Sequence, residues 1–186
     1  MDVRMFSVGP IQENCFLFRR DGSDRALIID PGDEADRLLG AIDELGVTLD
    51  GILLTHTHFD HVGAVAPIAK ATGAEVWVPE VEKPVLADID SFVPWPGFGP
   101  YESWDAEHTL TGGERLELAG IEIDVLFQGS VGRTDLPGGD SRVLMETLKT
   151  LAETLPDDTV VHPGHMGITT IGAERATNPF LGQFAR

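Results

Sequence analysis

Three of the six histidines in this 186-residue chain fall within Thr55-His56-Thr57-His58-Phe59-Asp60-His61, with an aspartate among them. No other stretch restricts the fold as strongly. Just before it, Gly51-Ile52-Leu53-Leu54 reads as a buried strand, and residues 62–71 read as a helix. The histidines therefore sit at the carboxyl end of a buried strand, where open α/β sheets usually carry their sites. In an extended segment residues two apart point the same way, so His56 and His58 can share one metal ion. Asp60 and His61 follow as the chain turns towards the helix. They can aim at a second metal, or Asp60 can act on a metal-bound water. Zinc and iron both take imidazole nitrogen and carboxylate oxygen. A solvated polar loop has no need of this density of ligand types.

The surrounding pattern predicts a layered α/β domain. Residues 3–8 and 15–19 read as strands joined by a turn at Gly9-Pro10, and residues 26–29 as a buried strand ending at Asp30-Pro31-Gly32. From the residues alone, Asp30 is a cap for the following helix. Ala35, Leu38, Leu39, Ile42 and Leu45 follow helical spacing up to Gly46. Pro67 should bend the helix after the histidine loop or delay its start. Residues 75–78 read as a strand. Residues 81–101, with four prolines, Trp95 and Phe98, read as a short helix and an irregular loop that either roofs the site or packs on the surface. His108 reads as a surface or packing histidine. Residues 115–118 and 121–127 read as strands around Ala119-Gly120. Leu144, Leu148, Leu151 and Leu155 line one face of a helix capped by Asp140 or Ser141. A short strand at residues 159–161 delivers His162-Pro163-Gly164-His165, and either histidine could ligate a metal.

Charge and length narrow the classes. With 31 acidic against 13 basic residues the net charge is −18, which disfavours non-specific contact with nucleic acid or an anionic membrane. It does not exclude an anionic substrate, because a metal site can be locally positive. The single cysteine, Cys15, rules out an internal disulfide and, within Cys15-Phe16-Leu17-Phe18, reads as core. The length fits one domain, residues 1–186. With no signal peptide or long apolar span, a cytoplasmic protein is expected. The oligomeric state is not legible.

Beyond His56-x-His58-x-Asp60-His61, four further motifs stand in order: Ile11-Gln12-Glu13-Asn14-Cys15, Ile29-Asp30-Pro31-Gly32, Gly129-Ser130-Val131-Gly132-Arg133-Thr134-Asp135 and Pro163-Gly164-His165. Together they resemble the metallo-β-lactamase superfamily, and within it the glyoxalase II branch of hydroxyacylglutathione hydrolases, nearly end to end. The resemblance implies an αββα four-layer sandwich. It implies a first metal at His56 and His58 and a second at Asp60, His61 and His165, with His162 not a ligand. It places Asp30 behind the metal histidines, where such partners fix imidazole orientation. The metals would be one or two zinc ions, or iron or manganese, and the substrate a small-molecule thioester attacked by a metal-bound water. Arg133 either binds a substrate anion or pairs with Asp135 to hold its loop; the second is favoured slightly.

The pattern breaks in the second half. Family members carry further chain between the strand at residues 121–127 and the Gly129 loop, including a ligand histidine and a metal-bridging aspartate. Here Phe127-Gln128-Gly129 runs straight on, and no histidine lies between His108 and His162. The absent piece, two strands with their turns, amounts to about 20–30 residues. The first metal then keeps two protein ligands and the second keeps three, the number a catalytic zinc normally has. A hydroxyacylglutathione thioesterase is the leading expectation. The alternatives are a persulfide dioxygenase-like iron enzyme and a metal-binding remnant without turnover.

Overall fold

A computed structural model describes residues 1–93, 96–111, 115–124, 141–182 and 184. The chain divides into two compact units, Met1–Phe127 and Gln128–Arg186.

In the first unit, β1 (Asp2–Val8), β2 (Glu13–Arg19), β3 (Arg25–Ile29), β4 (Thr48–Leu53), β5 (Val76–Pro79) and β6 (His108–Leu110) form one sheet in chain order. The first three pair antiparallel, because tight turns join them. From β3 onward the pairs are parallel, because each connection crosses over the sheet. Parallel strands are covered on both faces, and Leu27, Ile28, Ile52, Val76 and Val78 are accordingly buried, as is Cys15.

Helix α1 (Ala35–Leu45) crosses from β3 to β4. Leu38 and Ile42, one turn apart, bury into the main core, and Gly46 ends the helix in the left-handed region, φ 60°. Residues 62–71 are not one helix as expected. The structure has α2 (Phe59–Val62), a turn at Gly63-Ala64, and then α3 (Val65–Thr72). Pro67 explains the late start: it sits in the first turn of α3, where a backbone N–H has no acceptor within the helix. Val65, Ile68 and Ala69 of α3 join Leu38 and Ile42 beneath the sheet.

After β5 come a 3-10 turn, Glu80–Glu82, helix α4 (Lys83–Leu86) and a second 3-10 turn, Ile89–Phe92, anchored by buried Leu86 and Ile89. The opposite face of the sheet meets an antiparallel hairpin, β7 (Arg115–Leu118) and β8 (Ile121–Asp124). Its Leu116 and Ile123 pack with Ile29, Leu53, Trp77 and Leu110. Asp50 Oδ2 accepts a 2.8 Å bond from the Ala119 N–H at the hairpin turn. His108 stacks on Trp77 at 4.2 Å and lies 2.7 Å from Glu75 Oε2, a packing role.

The second unit holds α5 (Ser141–Thr154), the hairpin β9 (Val160–Val161) and β10 (Thr169–Thr170), α6 (Ile171–Thr177) and α7 (Pro179–Gly182). Arg175 donates to the carbonyl oxygens of Ala152 and, at 2.7 Å, Leu155, which tends the open end of α5. Leu148, Ala152, Ile171 and Leu181 are buried. Among the described residues no helix is long and apolar enough to cross a membrane.

Candidate metal centre

The site starts at Asp30, one residue past β3, with φ 48°. Aspartate tolerates this left-handed conformation better than most residues. Its N–H donates to Leu53 O at 3.1 Å, tying the end of β3 to the end of β4. Its carboxylate then faces the loop after β4. Oδ1 accepts from Thr55 N at 2.8 Å, and Oδ2 accepts from Thr55 Oγ1 at 2.6 Å and lies 3.1 Å from His61 Nδ1. Asp30 therefore does not cap α1. The cap position falls to Glu34, which makes no side-chain cap bond.

These bonds assign the imidazole nitrogens. His61 Nδ1 carries the proton that Asp30 accepts, which leaves Nε2 as the ligand atom. The Thr55 hydroxyl hydrogen is committed to Asp30. Thr55 Oγ1, 2.9 Å from His56 Nδ1, can then only accept, so His56 also keeps Nε2 for a metal. His56 Nε2 lies 3.0 Å from His58 Nδ1. Two nitrogens on one tetrahedral zinc, at bonds of about 2.0–2.1 Å, stand roughly 3.3 Å apart, so this pair fits a shared ion. His61 follows with its ring 4.1 Å from that of His56, and its Nε2 is 3.7 Å from Asp60 Oδ2. Three imidazoles and a carboxylate thus meet on one loop, a donor set suited to zinc, iron or manganese. Ligand atoms of Asp30, His56 and His61 also come within 4.8 Å of one another. The three donors already on Asp30 make it an orienting group rather than a ligand.

Close backbone packing holds this arrangement. A Cβ at Gly32 would overlap the Asp60 carbonyl oxygen, and one at Gly63 would overlap Gly32 O. The Ala64 N–H donates to Pro31 O at 3.0 Å. Only glycine lets the Asp30 loop press onto α2 this closely. Above α2, Phe98 and Tyr101 pack on Phe59, with centroids at 4.9 and 6.2 Å. A small cleft bounded by Pro10, Ile11, Phe59, Asp60, Phe98 and Tyr101 lies alongside.

Two carboxylates behind the site carried no role in the sequence. Glu13, at the start of β2, has no exposed surface, and its Oε1 is 3.6 Å from His61 Nδ1. Burial, and then the charges of Asp30 and Asp60, push its pKa up to about 10, against a smaller pull from the Gly32 N–H. A polar pair, Glu13-Asn14, opening the apolar Cys15-Phe16-Leu17-Phe18 run was the available signal. Glu82 accepts from the backbone N–H and the hydroxyl of Thr57. Nothing in its local sequence marks it. At His61, burial pushes the pKa down, but the Asp30 bond and the charges of Asp30 and Asp60 outweigh this and leave it raised.

His165 lies in the second unit, exposed on the connection between β9 and β10, with His162 half-buried nearby in sequence. Burial holds the His162 imidazole below its usual range. Arg133, Asp135 and Asp140 lie outside the described residues, as does Trp95.

The profile of the metallo-beta-lactamase superfamily matches residues 8–122. Hydroxyacylglutathione hydrolase GloC of Haemophilus influenzae is 36% identical over 216 aligned positions, covering 97% of this chain and 98% of that protein. Among solved structures, the BLEG-1 B3 metallo-beta-lactamase superposes with a TM-score of 0.86 at 31% identity, covering 97% of this chain and 99% of the other. A di-iron-bound form of TTHA1623 gives 0.68 at 37% identity, covering 96% and 100%. A chain of 186 residues cannot fill 216 positions, so at least 30 positions of the Haemophilus alignment have no counterpart here.

Proposed function

Because this chain belongs to the metallo-β-lactamase superfamily, we propose that it is a metal-dependent hydrolase whose substrate is a hydroxyacylglutathione-type thioester. The observation that carries the hydrolase reading is the set of hydrogen bonds from Asp30 to Thr55 and His61 and from Thr55 to His56, which assigns Nε2 as the ligand atom of both His56 and His61. The thioester rests on likeness to the Haemophilus protein along nearly its whole length.

In this reading His56 and His58 hold one ion, and Asp60, His61 and His165 hold the other. A divalent metal there supplies Lewis acidity for a carbonyl oxygen and lowers the pKa of a water towards neutrality. The chain does the rest. Asp60 orients the attacking water and takes up its proton. Asp30 keeps the His61 ring from rotating. Phe59, Phe98 and Tyr101 give the acyl group an apolar wall beside Asp60. Arg133 either meets a substrate anion or braces its own loop. A cytoplasmic location suits a small soluble thioester.

A second reading, a metal-binding protein without turnover, draws on the 30 or more alignment positions that this chain does not fill against the Haemophilus protein. The deciding assay is hydrolysis of hydroxyacyl-glutathione with added zinc, iron or manganese, for this chain and for Asp60→Ala. Turnover that disappears in Asp60→Ala supports the hydrolase. Equal, background rates for both chains support the second reading.

A further inference from the structure

Thr57 lies between His56 and His58 and is buried, with 3% of its surface exposed. The two imidazoles meet at 3.0 Å on one side of the chain, so the Thr57 side chain points to the other. There it meets Glu82, whose Oε2 accepts from Thr57 N at 3.2 Å and also from Thr57 Oγ1. Glu82 comes from the 3-10 turn after β5, 25 residues further along the chain. Its neighbour Val81 is 82% exposed, while Glu82 itself is turned inwards. The turn has its own foundation. Lys83 Nζ donates to Ala106 O at 2.7 Å and pairs with Asp105 at 3.0 Å, and Leu86 is buried in the main core.

We propose that Glu82 is a positioning residue for the metal site: it clamps Thr57 and thereby sets the direction in which His56 and His58 point. This rests on the reading of those histidines as ligands. The clamp complements Asp30. Asp30 holds Thr55 by its N–H and its hydroxyl, and Glu82 holds Thr57 by the same two groups. His56 is thus bracketed by Thr55 and Thr57, each held by a carboxylate from a separate stretch of the chain. A short loop without this bracket would have to order its imidazoles when the ion arrives, and that ordering would weaken binding.

The test measures zinc affinity in two steps, by competition with a strong and a weak chromophoric chelator, and reads the clamp at the weaker step, assigned to His56 and His58, together with the visible spectrum of the cobalt-loaded protein and the melting temperature without metal. The proteins are the full chain, Glu82→Ala, Glu82→Gln, Thr57→Val and the Glu82→Ala/Thr57→Val pair. Glu82→Ala is expected to weaken the weaker zinc step, that of His56 and His58, by about 10-fold or more and to alter the cobalt spectrum. Its metal-free melting temperature should stay within a few degrees of the parent. Glu82→Gln, which keeps an acceptor oxygen, should recover most of the affinity. Thr57→Val, which keeps the N–H bond, should lose less than Glu82→Ala, and the double variant no more than Glu82→Ala alone. Unchanged affinity and spectrum in Glu82→Ala would overturn the clamp and leave the metal centre standing. So would a drop in metal-free stability large enough to account for the lost binding. A parent chain that takes up no metal would overturn both.

Discussion

The Asp30 carboxylate gathers three donors, two from Thr55 and one from His61. An amide in its place has one acceptor oxygen and cannot serve them all. Asp30→Asn is therefore expected to lower metal affinity by about 10–100-fold, read from retained metal after dialysis against graded chelator. Glu13 makes a different prediction. In the folded, metal-free chain burial holds its pKa up to about 10, against the usual 4.5 of a glutamate. Between those values the folded state binds more protons than the unfolded state, so stability falls as pH rises. The contribution is complete below the lower value and is lost as pH passes through the upper one. Urea unfolding of metal-stripped protein should therefore show a midpoint that declines from about pH 6 to about pH 9. The decline should be shallower in Glu13→Gln, and equal slopes would refute the assignment.

The elements around the site are set by close approaches as much as by propensity. Gly32 and Gly40 make a matched pair for testing this. A methyl at Gly32 meets the Asp60 carbonyl, which is backbone and cannot swing aside. Gly32→Ala should therefore destabilise the protein by about 2 kcal/mol or more and release metal together with stability. Gly40 lies inside α1 with nothing within 4 Å of its added Cβ. Gly40→Ala should stabilise by about 0.5–1 kcal/mol, because alanine loses less backbone entropy in a helix. Both values follow from denaturant unfolding, and a stabilising Gly32→Ala would contradict the crossing described above. The histidine loop and the strand before it were legible from the apolar run Ile52-Leu53-Leu54 and the density of ligand types after it. The break between α2 and α3 was only half legible. Pro67 announced a late start, but the turn at Gly63-Ala64 follows from the packing of that turn on Pro31 and Gly32.

At the scale of the whole molecule, at least 30 positions of the Haemophilus alignment have no counterpart here, and metal content and turnover test what that means for the site. With three protein ligands expected at the second ion and two at the first, elemental analysis of purified protein should find one metal held firmly per chain. Two would mean that replacement ligands complete the first site. Thioester turnover should fall about 100-fold or more below that of the full-length Haemophilus enzyme, since a water held by one cation is less acidic and less well placed. Equal rates would show the site to be complete by other means. The amino-acid order by itself determined the strand–loop–helix unit, the buried character of Cys15 and the crowding of His56, His58, Asp60 and His61. Those are local properties, set by periodicity and by neighbours a few residues apart. Only the tertiary structure decided that Asp30 orients Thr55 and His61 instead of capping α1, that Glu13 lies behind His61, and that Glu82 grips Thr57. Each of those contacts joins residues at least 25 positions apart, and their meeting depends on the parallel order β3-β4-β5 and the glycine-tight crossing at Gly32, which no local pattern encodes.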